Sequence, residues 1–161
     1  MKQSLTLTGL SRPRIASFVI GLGMVVASIL TIQHFYDTNF PTSIYEGSFC
    51  DINAFFNCDS SAYSGIAEFG GVPLGYFGFF AGALLALGAV FPTLAFERTN
   101  KMFALLNLIG VGALLLYSVF VLGSLCLLCA GYYVFAILGF ILFWKYGIDR
   151  EGGGFVSRWF R

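Results

Sequence analysis

Polar and apolar residues separate along this chain by whole segments rather than by alternate positions. Four stretches, Ile15–Phe35, Val72–Phe91, Met102–Leu122 and Ser124–Trp144, contain no Asp, Glu, Lys or Arg. Each runs for about 20 residues, which at 1.5 Å per residue matches a hydrocarbon core of about 30 Å. Lipid offers no partners to backbone N–H and C=O groups, so each stretch is expected to be a helix. The pattern predicts an all-α integral membrane protein, a bundle of four transmembrane helices. The first stretch is too long for a signal-peptide core. No small-x-small cleavage site follows it before Gln33-His34, so it is expected to remain as a span.

The charges orient the bundle. Lys2, Arg12 and Arg14 precede the first span, Arg98 and Lys101 lie between the second and third, and Lys145, Arg150, Arg158 and Arg161 follow the fourth. The loop from Tyr36 to Gly71 has no basic residue but carries Asp37, Glu46, Asp51, Asp59 and Glu68. The positive-inside rule then puts both termini in the cytoplasm and this loop outside. A loop of that length is functional or disordered. Its many aromatic residues argue for order. Phe49, Ile52 and Phe56 recur at helical spacing, which predicts a short amphipathic helix on an outer-face lid, with Ser48 as a possible cap. Residues 1–146 are thus expected to form one membrane domain, with the lid at 36–71 and a cytoplasmic tail at 147–161.

Composition agrees. Hydrophobic residues make up 58% and charged residues 11%, where soluble domains carry about 25% charged residues. That excludes an ordinary soluble domain and a disordered chain. A net charge of +1 leaves no basic face for nucleic acid.

Candidate chemistry rests on four cysteines, all on the outer side of the expected topology, where disulfides form and persist. Cys126 and Cys129 open the fourth span. At i and i+3 they share one helix face, within disulfide reach, and the start of a helix favours a thiolate. Ser124 is a possible cap for that helix. Cys50 and Cys58 are too far apart to bond along a continuous helix. If they pair, the lid helix has to end between them, with Asn53 and Asn57 as plausible places. A lid thiolate attacking a Cys126–Cys129 disulfide would pass two electrons from outer water to membrane depth. An apolar two-electron acceptor, a quinone, suits that position, among Tyr132, Tyr133 and Phe135. Structural disulfides, free cysteines serving as small hydrophobes and a four-cysteine zinc site are the competing readings; no metal is expected. His34 reads as an interfacial residue, Asn107 as a helix-to-helix hydrogen-bonding group, and Gly78-x-x-x-Gly82 as a helix-packing face.

Two cysteine pairs in this order resemble the vitamin K epoxide reductase family. The resemblance is carried by Phe49-Cys50-Asp51 through Cys58-Asp59-Ser60-Ser61 and by Cys126-Leu127-Leu128-Cys129-Ala130-Gly131-Tyr132-Tyr133, and covers roughly residues 10–146. It implies that Cys126 and Cys129 are the active-site pair, with Cys129 beside the quinone. By the same likeness Cys50 exchanges with a partner and Cys58 passes electrons to Cys126. Ser64 and Tyr133 would line the quinone pocket. Many bacterial members carry a fused thioredoxin-like domain after the last span. The short tail here implies a separate chain as partner. Animal members have a hydrogen-bonding Asn near the start of the second span, where this chain has Val72-Pro73-Leu74-Gly75.

The expectation is a membrane thiol oxidase of a bacterial inner membrane, with its active site on the periplasmic side. It would draw electrons from a separate periplasmic thioredoxin-fold protein and reduce a ubiquinone- or menaquinone-type quinone, supporting disulfide formation in exported proteins. The alternatives are a vitamin K quinone or epoxide reductase driven by lumenal thiols, and a non-enzymatic scaffold with structural disulfides. The other four-helix quinone reductase of bacterial disulfide formation carries its quinone-side cysteine pair early, whereas here Cys-x-x-Cys comes last.

Overall fold

The structure is a computed structural model and describes residues 12–40, 50, 52–91 and 94–146. Its order is α1 (Arg12–Asn39), α2 (Cys58–Ala62), β1 (Glu68–Phe69), β2 (Val72–Pro73), α3 (Gly75–Val90), α4 (Leu94–Tyr117), a π-helical turn (Ser118–Leu122) and α5 (Leu127–Tyr146). The four long helices pack around one another, α1 against α3 and α5, and α4 against α5 and α3.

Small residues set the closest approach. A side chain on Gly82 of α3 would come within 2.9 Å of the Gly21 carbonyl of α1, and one on Gly78 within 2.8 Å of the Ser28 hydroxyl. Gly78 and Gly82 therefore form the packing face expected of them. Asn107 accepts a hydrogen bond from the Tyr132 hydroxyl at 2.8 Å, which ties α4 to α5.

Burial is inverted relative to a soluble fold. Val19, Leu22, Phe80, Ile109, Leu116 and Val134 are exposed, while Ser17, Ser28, Asn100 and Ser118 are buried. Apolar surface on that scale needs a covering, and lipid is the covering that suits it. Two helical segments, Arg14–Asn39 and Thr99–Leu122, are long and apolar enough to cross a membrane; Gly75–Val90 and Leu127–Leu142 are shorter apolar helices.

The spans differ from expectation at their edges. The first helix extends beyond Ile15–Phe35 at both ends. Arg98 and Lys101 lie on the backbone of α4, not in a connecting loop, because the helix starts at Leu94. The lid differs more. Residues 52–57 form no helix: the Asn53 side chain accepts the amides of Phe55 and Phe56 at 3.0 and 2.8 Å, so the chain turns there instead. The helical spacing of Ile52 and Phe56 has no helix under it; Ser48, Phe49 and Asp51 lie outside the described residues, as does the tail from 147. The short helix begins later, at Cys58, with Asn57 as its cap accepting the Ser60 amide at 2.7 Å.

The lid also contains β structure that hydropathy does not announce. β1 and β2 form an antiparallel hairpin, Phe69 opposite Val72, closed by Gly70 and Gly71 at φ of 61° and 82°. Two consecutive left-handed residues make the turn that matches strand twist.

Candidate functional site

The turn after the π-helical segment builds the site. Gly123 takes a left-handed conformation, φ 66°, and reverses the chain. Leu125 then pairs with Phe56 in a short parallel bridge. Its amide donates to the Phe55 carbonyl at 2.6 Å, and its own carbonyl accepts the Asn57 amide at 3.3 Å. These bonds clamp the segment holding Cys58 onto the residue before Cys126. The Ser60 and Ser124 hydroxyls meet at 2.9 Å beside them, so Ser124 joins the lid and does not cap α5.

Cys126 takes the cap position itself. Its carbonyl accepts the Ala130 amide at 2.9 Å, and its sulfur accepts the Cys129 amide at 3.4 Å. Cys126 therefore stands just before α5, not within its first turn. An amide aimed at the sulfur at a helix start stabilises the negative charge that a thiol acquires as nucleophile or leaving group.

Three sulfurs converge. Cys50 and Cys58 are joined in a disulfide, with Cα atoms 5.7 Å apart. The Cys126 sulfur lies within 4.8 Å of both sulfurs of that bond. Cys126 and Cys129 are thiols, outside any disulfide. Two of the three converging sulfurs are already bonded to each other, so they hold no thiolate pair for a metal. Cys50 and Cys58 are completely buried and Cys126 nearly so. That corrects the expectation of a cysteine pair facing outer water. In this arrangement no partner reaches either sulfur, and exchange requires the lid to move.

Beside the sulfurs lies a half-open cavity with about 600 Å³ of empty space, solvent at its mouth included. Cys126, Cys129, Ser64 and Tyr133 all line it, together with apolar groups such as Phe35 and Leu114. Ser64 donates its hydroxyl to the Ser61 carbonyl at 2.6 Å. Of the three aromatic residues expected around a ring, only Tyr133 faces the cavity. Tyr132 is turned to Asn107, and Phe135 packs on Gly23 of α1.

His34 is the residue that sequence reasoning undervalued. Its side chain is 10% exposed, its Nε2 lies 3.2 Å from Asp59 Oδ1, and it lines the same cavity. Its side chain turns inward to the cavity rather than outward. The available signal was its position as the chain's one histidine at the outer end of a span. Its partner, 25 positions along the chain, could not be read from spacing.

A family model described as the vitamin K epoxide reductase family matches residues 15–144. No curated protein matches the chain.

Proposed function

Because the chain belongs to the vitamin K epoxide reductase family, and so is a membrane oxidoreductase, we propose that it is a quinone-coupled thiol oxidase. The observation that carries this reading is the Cys126 sulfur within 4.8 Å of both sulfurs of the Cys50–Cys58 disulfide, with Cys129 on the cavity wall.

The exchange is a sequence of sulfur displacements. A partner's dithiol reduces Cys50–Cys58 and leaves as a disulfide. The Cys58 thiolate attacks Cys126 of an oxidised Cys126–Cys129 pair, and Cys129 departs as a thiolate. Cys50 then attacks Cys58, closing Cys50–Cys58 and releasing Cys126. This leaves a lid disulfide beside two reduced thiols, the same arrangement as in the structure. A quinone supplies the final acceptor, taking two electrons and two protons and leaving as quinol. The cavity residues fit it: Tyr133 and Phe35 contribute rings to the lining, Ser64 and Ser118 contribute small polar groups, and Cys129 stands at the wall. Tyr133 and Ser64 would hold it, and it would accept the two electrons that Cys126 and Cys129 release on closing to a disulfide.

A thioredoxin-fold partner and a bacterial inner membrane are what the family likeness suggests, and the distribution of basic residues supports a lid on the outer side. On this reading all four long helices cross the bilayer. At 16 residues and 1.5 Å rise, α3 reaches about 24 Å, and residues 72–74 ahead of it carry the chain from the lid to the helix. Pro73, Leu74 and Gly75 line the cavity and supply no side-chain donor, which favours thiol oxidation over epoxide reduction.

The test is quinone reduction by the purified protein in detergent, with a reduced thioredoxin-fold protein as donor. Wild type should turn over, and Cys50→Ala and Cys129→Ala should both stall. Undiminished turnover by Cys129→Ala would sink the relay.

A further inference from the structure

Sulfur displacements carry electrons and no protons, since the attacking and leaving groups are thiolates. The donor dithiol therefore releases its two protons to water at the lid. Reduction of a quinone in the cavity consumes two. The four apolar stretches contain no Asp, Glu, Lys or Arg to carry them inward.

Resting on the quinone-reduction reading, we propose that His34 and Asp59 are the route by which protons pass between outer water and the cavity beside Cys126 and Cys129. The imidazole lines the cavity and is 10% exposed, whereas the Asp59 side chain is 37% exposed, and the two touch at 3.2 Å. One end of the pair meets solvent and the other meets the reacting chamber. Asp59 directly follows Cys58, in the first turn of α2, and its carboxylate accepts a hydrogen bond from the Thr38 hydroxyl at 3.5 Å. The pair is thus tied to the same short helix that carries a lid sulfur. Asp59 orients and neutralises a protonated imidazole, and His34 hands the proton on.

Among the described residues, the other titratable groups nearby are few. From α5 and its cap the cavity presents Cys126, Cys129 and Tyr133, while the hairpin, α3 and α4 present no ionisable side chain to it. Asp37, one turn beyond His34 on α1, is exposed to solvent. An imidazole is the group among these that both accepts and releases a proton near neutral pH.

The experiment uses the purified protein in detergent with three variants, His34→Gln, His34→Ala and Asp59→Asn. His34→Gln should reduce quinone about 100-fold more slowly, the scale of a lost proton carrier. Asp59→Asn should slow it less and displace the pH profile. Added imidazole should restore His34→Ala in a concentration-dependent way. A readout without quinone accompanies these: alkylation of Cys129 by iodoacetamide in the fully reduced protein, followed by mass spectrometry across pH. Its pH profile should shift in His34→Gln, because an imidazole that exchanges protons with the chamber also changes the thiolate fraction of Cys129. A wild-type rate and pH profile in His34→Gln would overturn the proposal. So would a slow His34→Ala that imidazole leaves slow, with Cys129 alkylation unchanged, because that assigns His34 to packing. If the histidine variants misfold, Asp59→Asn decides alone, and an unmoved pH profile there overturns the route. Failure of wild type to reduce any quinone would strike the parent reading, and the alkylation arm would still decide the proton route.

Discussion

At the scale of single residues, the position of Cys126 matters most. It is a helix cap whose sulfur accepts an amide at 3.4 Å, and it sits against a buried disulfide. A thiol so placed is within reach of that bond and has an amide aimed at its sulfur. Removing both resolving thiols should therefore trap the exchange. In Cys50→Ser combined with Cys129→Ser, no thiol is left to release a bond between Cys58 and Cys126, so a Cys58–Cys126 cross-link should accumulate under mild oxidation. Peptide mapping under non-reducing conditions reads it directly; finding Cys58 and Cys126 both as alkylated thiols would show that these two sulfurs do not exchange. That Cys50 and Cys58 could bond only if the chain turns between them was legible in their spacing, and the disulfide and the turn at Asn53 agree. The burial of the cysteines was not legible there, because spacing says which sulfurs can meet and nothing about what covers them.

At the scale of elements, hydropathy located the long helices because an uncharged run of that length has few other stable forms in lipid. It failed on the lid, where Ile52 and Phe56 repeat at helical spacing but Asn53 offers its side chain to two backbone amides and makes a turn instead. Short segments lack the length for periodicity to outweigh such local bonds. Between helices, glycine decides the approach. Gly82→Ala places a methyl group 2.9 Å from the Gly21 carbonyl and 3.0 Å from the Val25 amide nitrogen. It should destabilise the α1–α3 pair by about 1–3 kcal/mol, the usual cost of overpacking. Gly110→Ala faces open space and should be neutral or slightly stabilising, since alanine is the better helix former. Thermal unfolding in detergent compares the two, and equal melting temperatures would refute the packing argument.

At the scale of the whole molecule, the distribution of basic residues predicts orientation. A phosphatase reporter that is active only outside the cytoplasm should be active when fused after Gly65 and inactive when fused after Arg161. The opposite pattern would invert the topology and place the cysteines on the reducing side. The sequence alone pointed to a membrane environment and to the family, because these depend on local composition and on motifs spaced along the chain. Only the tertiary structure decided that Cys126 meets the lid disulfide, that Tyr133 rather than Tyr132 faces the cavity, and that His34 meets Asp59. Each of those contacts joins residues from different elements. They follow from the Gly123 reversal, the Phe56–Leu125 bridge and the tie of Tyr132 to Asn107, long-range pairings on which hydropathy, a one-dimensional property, carries no information.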